Sequence, residues 1–130
     1  MDMKLSLLRL ASDLAAHSTA RQTVVTQNVA NADTPGYRAR DLPDFAETLS
    51  AGPAFSARTT RPGHLDFGVH ARGFEAREVA AFGAETPNGN SVSLEDQMLR
   101  SAEARRNHDL ALGVYRKTLD VLRTSLGRGR

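Results

Sequence analysis

Apolar and small residues recur at alternating steps of three and four along both ends of this chain. Near the N-terminus Leu8, Ala11, Ala15, Ser18, Gln22, Val25, Val29 and Ala32 follow that spacing, which is the seam of a coiled-coil helix. Toward the C-terminus Leu94, Met98, Ser101, Arg105, His108, Leu112, Tyr115, Leu119, Leu122 and Leu126 repeat it. Both seams turn polar at their centres. No Gly or Pro interrupts Met3 to Ala32, and Gly113 is the sole breaker between Leu94 and Leu126. Every Pro (35, 43, 53, 62 and 87) lies in the stretch between, as do most of the Gly. The pattern predicts a mainly α fold in three parts: an N-terminal coiled-coil helix over 1–32, an irregular Gly/Pro-rich middle over 33–92, and a C-terminal coiled-coil helix with a tail over 93–130. Short strands are expected in the middle around "AFSART" (54–59) and "DFGVHARGF" (66–74). Ser93, with Asp96 three residues on, is the expected N-cap of the second helix.

A plain helical hairpin would show the same periodicity, but connections within helical bundles usually run about 2–8 residues, and residues 33–92 far exceed that. The expectation is therefore two terminal helices that pair while the middle projects elsewhere. Each apolar stripe is narrow and broken by polar residues, set against a backbone entropy of roughly 1–2 kcal/mol per ordered residue. This predicts terminal helices that order fully only on assembly, where the polar seam residues gain partners.

The stretch "NVANADTPGY" (28–37) closes the first helical pattern. Asn28 and Asn31 share a face by their spacing of three. Thr34-Pro35-Gly36-Tyr37 fits a type II turn, in which Pro fixes φ at the second position and Gly supplies φ > 0 at the third. Pro35 also disfavours helix at Thr34, so the helix is expected to end at Ala32 or Asp33. A helix stop and a turn do not by themselves account for two amides on one face.

Composition narrows the function. The chain has 130 residues, enough for one domain; it is 40% hydrophobic but only 5% aromatic, without Trp, which suits helices packed along a thin seam. There is no cysteine, which excludes a disulfide framework, a thiolate zinc site and a cysteine nucleophile. The apolar start is interrupted by Arg9, Asp13 and His17, so it reads as mature helix and not as a cleavable signal. Formal net charge is +2, yet of the 17 basic residues only Lys4 and Lys117 are lysines. Arginine suits protein interfaces as well as phosphates, and the sequence pI near 9.5 raises the alternative of a basic helical nucleic-acid-binding protein. Against it, Glu95, Asp96, Glu103, Asp109 and Asp120 are interspersed with Arg100, Arg105, Arg106, Arg116, Lys117 and Arg123, where a nucleic-acid helix would show a cleaner positive face.

Catalytic and metal signals are weak. His64, Asp66 and His70 have too loose a spacing in a Gly-rich segment to read as a metal site. His17 and His108 read as seam or surface residues. "RARD" (38–41) and "RPGH" (61–64) read as solvated loops with local Arg–Asp pairing, not phosphate contacts. No nucleophile, P-loop or paired-acid motif is present, so neither an enzyme nor a cofactor is expected.

"RQTVVTQNVANADTPGYRARDLPDF" (21–45) strongly resembles the N-terminal motif of the bacterial flagellar axial proteins. Its Ala-Asp before Thr-Pro-Gly-Tyr is most similar to the basal-body rod protein family, in its proximal-rod branch. "TTRPGHL" (59–65) and "PNGNSVSLEDQM" (87–98) match in the same order. The last departs from the family pattern at Asn88, Ser93 and Gln97, which stand for Asp, Asp and Glu. The resemblance implies a structural subunit exported unfolded by the flagellar type III apparatus, without a cleaved signal, into the periplasmic rod of the basal body. Its partners would be other rod subunits and components at the inner-membrane ring, with no nucleic acid and no small-molecule substrate. It further implies terminal helices lining a torque-transmitting tube, with Asn28 and Asn31 bonded to neighbouring subunits. Asp33, Thr34, Pro35, Gly36 and Tyr37 would then turn the chain out of the helical layer.

Overall fold

The computed structural model describes residues 2–50 and 74–127. Helix α1 spans Asp2–Ala30, strand β1 Arg40–Asp41, helix α2 Phe45–Ser50, strand β2 Arg77–Glu78 and helix α3 Leu94–Gly127. At about 1.5 Å rise per residue, the 29 residues of α1 and 34 of α3 make rods of roughly 43 and 51 Å. They lie antiparallel, since Asn28 meets Gln97 while Gln22 meets Ser101 and Arg21 meets Glu103. Mainly helical, with two long terminal helices packed on each other and a short-stranded middle, the architecture is the one the breaker distribution predicts.

The packed face differs from the expected one. On α3 the buried residues are Gln97, Ala104, Ala111 and Thr118, one every seventh position, as in a coiled coil. On α1 Ala11, Ser18 and Val25 are buried at the same interval, with Leu8 and Ala15 half-buried beside them. Leu112, Leu119 and Leu122 are half-buried flanks. Val29, Leu94, Met98, Tyr115 and Leu126, expected in the seam, instead lie exposed, Met98 at 73% and Leu126 at 69%. The seam on α3 is thus turned by about one residue from the expected line. The reason is size: Ala and Ser let two helix backbones approach closely, whereas Leu and Met on that line would hold them apart. At the polar centre Gln22 Nε2 donates to Ser101 Oγ at 3.0 Å.

α1 stops at Ala30, slightly before the expected end. Asn31 N–H still reaches the carbonyls of Gln27 and Asn28, at 3.1 and 3.2 Å, and Thr34 N–H that of Asn31 at 3.1 Å. The chain then reverses and runs back along α1. β1 pairs antiparallel with β2, Arg40 opposite Glu78 and Asp41 opposite Arg77. Behind this ribbon His17 is buried at 3% exposure. Its Nε2 lies 2.8 Å from the Pro43 carbonyl, and because a carbonyl only accepts, Nε2 carries the proton. The rings of Phe45 and Phe74 flank the imidazole, with centroids 5.6 and 5.2 Å away. This small cluster holds α2 and the approach to β2 against α1. Of the two expected strand stretches, 54–59 lies outside the described residues and 66–74 does so except for Phe74; His64, Asp66, His70 and the "RPGH" turn also lie outside them. Ser93 caps α3 as expected, its Oγ accepting from Asp96 N–H at 3.4 Å.

Candidate functional site

Asn28 sits at the elbow where α1, the returning chain and α3 meet, and it is fully buried. A primary amide has two donors and two acceptor lone pairs, and all four are used. Oδ1 accepts from Arg40 N–H and from the Tyr37 hydroxyl, each at 3.1 Å. Nδ2 donates to the Arg40 carbonyl at 2.7 Å and to Gln97 Oε1 at 2.9 Å. The side chain therefore pairs with the Arg40 backbone as a neighbouring strand would, and ties it to α3. Asn31 bonds locally: its Nδ2 donates to the Gln27 carbonyl at 2.8 Å, and its Oδ1 accepts from Thr34 Oγ1 at 3.2 Å. Both amides thus take partners within the chain, Asn31 through one donor and one acceptor. Asn28 has no valence left for a partner.

The Thr34–Tyr37 turn is closed by Tyr37 N–H to the Thr34 carbonyl at 3.2 Å, with Gly36 at φ 73°, as the Pro-Gly pair predicts. Asp33, Thr34, Pro35 and Gly36 are exposed, while Tyr37 is half-buried. A second loop docks on this turn from far along the chain. Gly36 N–H donates to the Asn88 carbonyl at 2.9 Å and Ser91 N–H to that of Tyr37 at 3.0 Å. Ala39 N–H donates to Ser91 Oγ at 2.8 Å. Asn90, 1% exposed, completes the join, its Nδ2 donating to the carbonyls of Asn31 and Thr34, both at 2.8 Å. Those carbonyls lie just past the helix end and already accept from Thr34 and Tyr37 N–H, so the Asn90 amide fills their second lone pairs.

Gly36 is the position where glycine is required. A Cβ there would meet nothing within 4 Å, so the penalty of a side chain lies in the backbone itself. A β-branched residue at that φ is strained by about 1–3 kcal/mol. Gly36→Val is expected to lower the unfolding midpoint and impair motility, while Gly127→Val, at the exposed end of α3, does neither. Equal, mild effects at both sites in thermal unfolding and soft-agar swimming would argue against the turn.

An ionic cluster braces the elbow. The buried Asp41 carboxylate accepts a fork from Arg21, with Nε and Nη2 both at 3.0 Å, and a further bond from Arg100 Nη1 on α3. Leu42 N–H adds a fourth at 2.8 Å. Arg100 Nε also bonds Asp96 at 2.7 Å and Arg21 Nη1 bonds Glu103 at 3.2 Å. Burial works against ionisation of Asp41, yet the bonds and charge of Arg21, the Leu42 amide and the Arg100 charge outweigh it and hold the carboxyl below its ordinary value. Both arginines are likewise held above their ordinary value, the carboxylates outweighing burial. The local pairing expected within "RARD" is absent: Asp41 reaches across to α1 and α3, while Arg38 pairs with Glu85 at 2.5 Å.

Sequence reasoning missed Gln97, Asn90, Asp41, Arg21 and Arg100 as members of one site. All but Arg100 fall within the quoted motif segments, but the pairings of Asn28 with Gln97 and of Asp41 with Arg100 bridge 69 and 59 positions. Among the described residues no cluster of metal-ligating side chains occurs, and no helix is long and apolar enough to cross a membrane. The arrangement offers structural joints.

Comparison with known proteins points the same way. A family model described as "Flagella basal body rod protein" matches residues 15–38, which run from the second half of α1 through the turn. The flagellar basal body rod protein FlgB of Agrobacterium fabrum is 32% identical over 110 residues, covering 82% of this chain and 81% of that protein. The FlgB of Cereibacter sphaeroides is 31% identical over 109 residues, 82% of each chain. That of Escherichia coli K12 is 50% identical over 42 residues, 32% of this chain and 30% of its own. With most of both chains aligned to the first two of these relatives and the motif itself forming the joint, this chain belongs to the FlgB family of flagellar basal body rod proteins.

Proposed function

We propose that this chain is a structural subunit of the flagellar basal-body rod, in its proximal part, and that it acts by stacking its α1–α3 pair against other rod subunits to form a hollow, torque-transmitting tube. The observation that carries the reading is the inverted packing of the helix pair. Small and polar residues fill the intramolecular seam, while Met3, Leu5, Leu7, Leu10, Leu99, Leu110, Val121 and Leu126 are exposed. Apolar area left in water on this scale marks a surface destined for burial. Leu99, Leu110 and Val121 recur every eleven residues, three helical turns apart, and so share one outer face of α3. Removing each from water contributes about 1.5–3 kcal/mol, which a lone subunit forgoes. On this reading the chain works without chemistry, and the middle region packs outside the helical layer. Delivery by the flagellar type III apparatus and a seat near the inner-membrane ring on the periplasmic side complete the proposal.

Deletion of the gene tests the role itself, by imaging basal bodies and filaments. Normal motile cells, in a strain without a second copy, would sink it. Leu110→Lys tests the surface. Because Leu110 is 58% exposed, the isolated variant is expected to keep wild-type helicity by circular dichroism while failing to restore swimming. Full restoration would remove this outer face of α3 from the assembly surface.

A further inference from the structure

We infer that Asn88-Gly89 is a self-modification site, in which the folded elbow holds off loss of the side-chain amide and unfolding releases it. The chemistry needs nothing beyond the chain and water. The Gly89 backbone nitrogen attacks Cγ of Asn88, and a C–N bond forms to close a five-membered imide. The bond from Cγ to Nδ2 breaks, and ammonia leaves with the proton surrendered by the Gly89 nitrogen. Water then opens the imide at either carbonyl, giving aspartate or isoaspartate. Glycine in the following position favours the ring closure, because it has no Cβ to obstruct it and visits the required backbone angles freely.

Within the fold both reacting groups are committed elsewhere. Gly89 N–H donates to the Thr86 carbonyl at 2.9 Å, with φ fixed at 81°. Asn88 Oδ1 accepts from Asn90 N–H at 3.2 Å and from the Thr86 hydroxyl at 2.5 Å. These two donors polarise the carbonyl, which on its own would speed attack. Polarisation counts for little while the nucleophile is held off its line of approach, where a misplacement of 1 Å is worth roughly a hundredfold. Once the loop opens, both restraints vanish together.

Isoaspartate would carry the damage into the joint. It places an extra carbon in the main chain between the Asn88 position and Gly89, shifting the carbonyl that accepts Gly36 N–H and the buried Asn90 beyond it. Plain aspartate leaves the backbone spacing intact. A subunit that lingers unfolded therefore accumulates a lesion that prevents its elbow from closing.

The test incubates the purified full chain at neutral pH, in buffer and in guanidinium chloride. Peptide mass spectrometry follows amide loss at Asn88, and isoaspartyl methyltransferase labelling follows the rearranged product. Conversion is expected to be roughly ten- to a hundredfold slower in buffer. Asn90–Ser91, in the same peptide, serves as the internal reference and should lag Asn88 in denaturant. Asn90→Ala, which loosens the loop without touching the reacting pair, should raise the rate in buffer, and Gly89→Ala should slow it in denaturant. Equal rates at Asn88 in folded and unfolded chain, or no conversion there in denaturant, would overturn the proposal.

Discussion

Asn28→Ala is expected to destabilise the subunit by about 3–5 kcal/mol, at the upper end of what single substitutions do. Truncation strands Gln97 Oε1, the Tyr37 hydroxyl and both backbone groups of Arg40 in an interior where the original side chain has no exposure. Each unpaired buried group costs about 1–3 kcal/mol, and entry of water into the vacated space offsets part of the sum. Asn28→Asp should be nearly as harmful despite its shape, since Nδ2 with its two N–H donors becomes an acceptor oxygen facing the Arg40 carbonyl and Gln97 Oε1. Val29→Ala, one residue along and 47% exposed, should stay within about 0.5 kcal/mol of wild type. Guanidinium unfolding of the three variants, followed by circular dichroism, measures this directly. An Asn28→Ala midpoint matching that of Val29→Ala would remove the amide from its place at the centre of the joint.

Acid should loosen the same joint through Asp41. Its carboxyl is held below the ordinary value of 3.8 in the folded chain. The folded state therefore binds fewer protons than the unfolded one between those two values, and stability rises with pH across that window. The contribution is fully present above pH 3.8 and is lost as pH falls through the depressed folded value. Asp41→Asn removes it at every pH. The variant should lose about 2–3 kcal/mol at neutral pH, less than the roughly 3–5 of a fully stranded buried charge, because Arg100 keeps Asp96 and Arg21 keeps Glu103. The quantity to measure is the stability difference between wild type and variant as a function of pH. It should be flat from neutral to mildly acid and shrink below pH 3.8. A difference that stays constant into strong acid would mean that Asp41 is not the titrating brace.

What the sequence disclosed followed from the strength of each local signal. The helices were legible because every Pro and most of the Gly lie between them, and the turn because Pro35 and Gly36 fix two consecutive dihedrals. The facing of α3 was misjudged for a physical reason. Leu94, Met98 and Leu126 weigh heavily in any search for an apolar stripe, whereas Ala104 and Ala111 weigh little, yet close helix pairing selects small residues. The Asn28 site was half legible. Its amide beside a sharp turn signalled an unusual demand, but its partners include a glutamine that reads as surface and a main-chain pair that no side-chain pattern encodes.

The separation of the paired groups bears on when the subunit can fold. The bond from Asn28 to Gln97 spans 69 positions and that from Arg21 to Glu103 spans 82, so α1 finds its partner helix only at the far end of the chain. Contacts this distant give a high contact order and slow folding, because chain entropy must be surrendered before any reward arrives. On the proposed export through a narrow conduit, the helix pair could close only after residues 97–103 had followed α1 through, so the order of the residues would itself delay folding in transit.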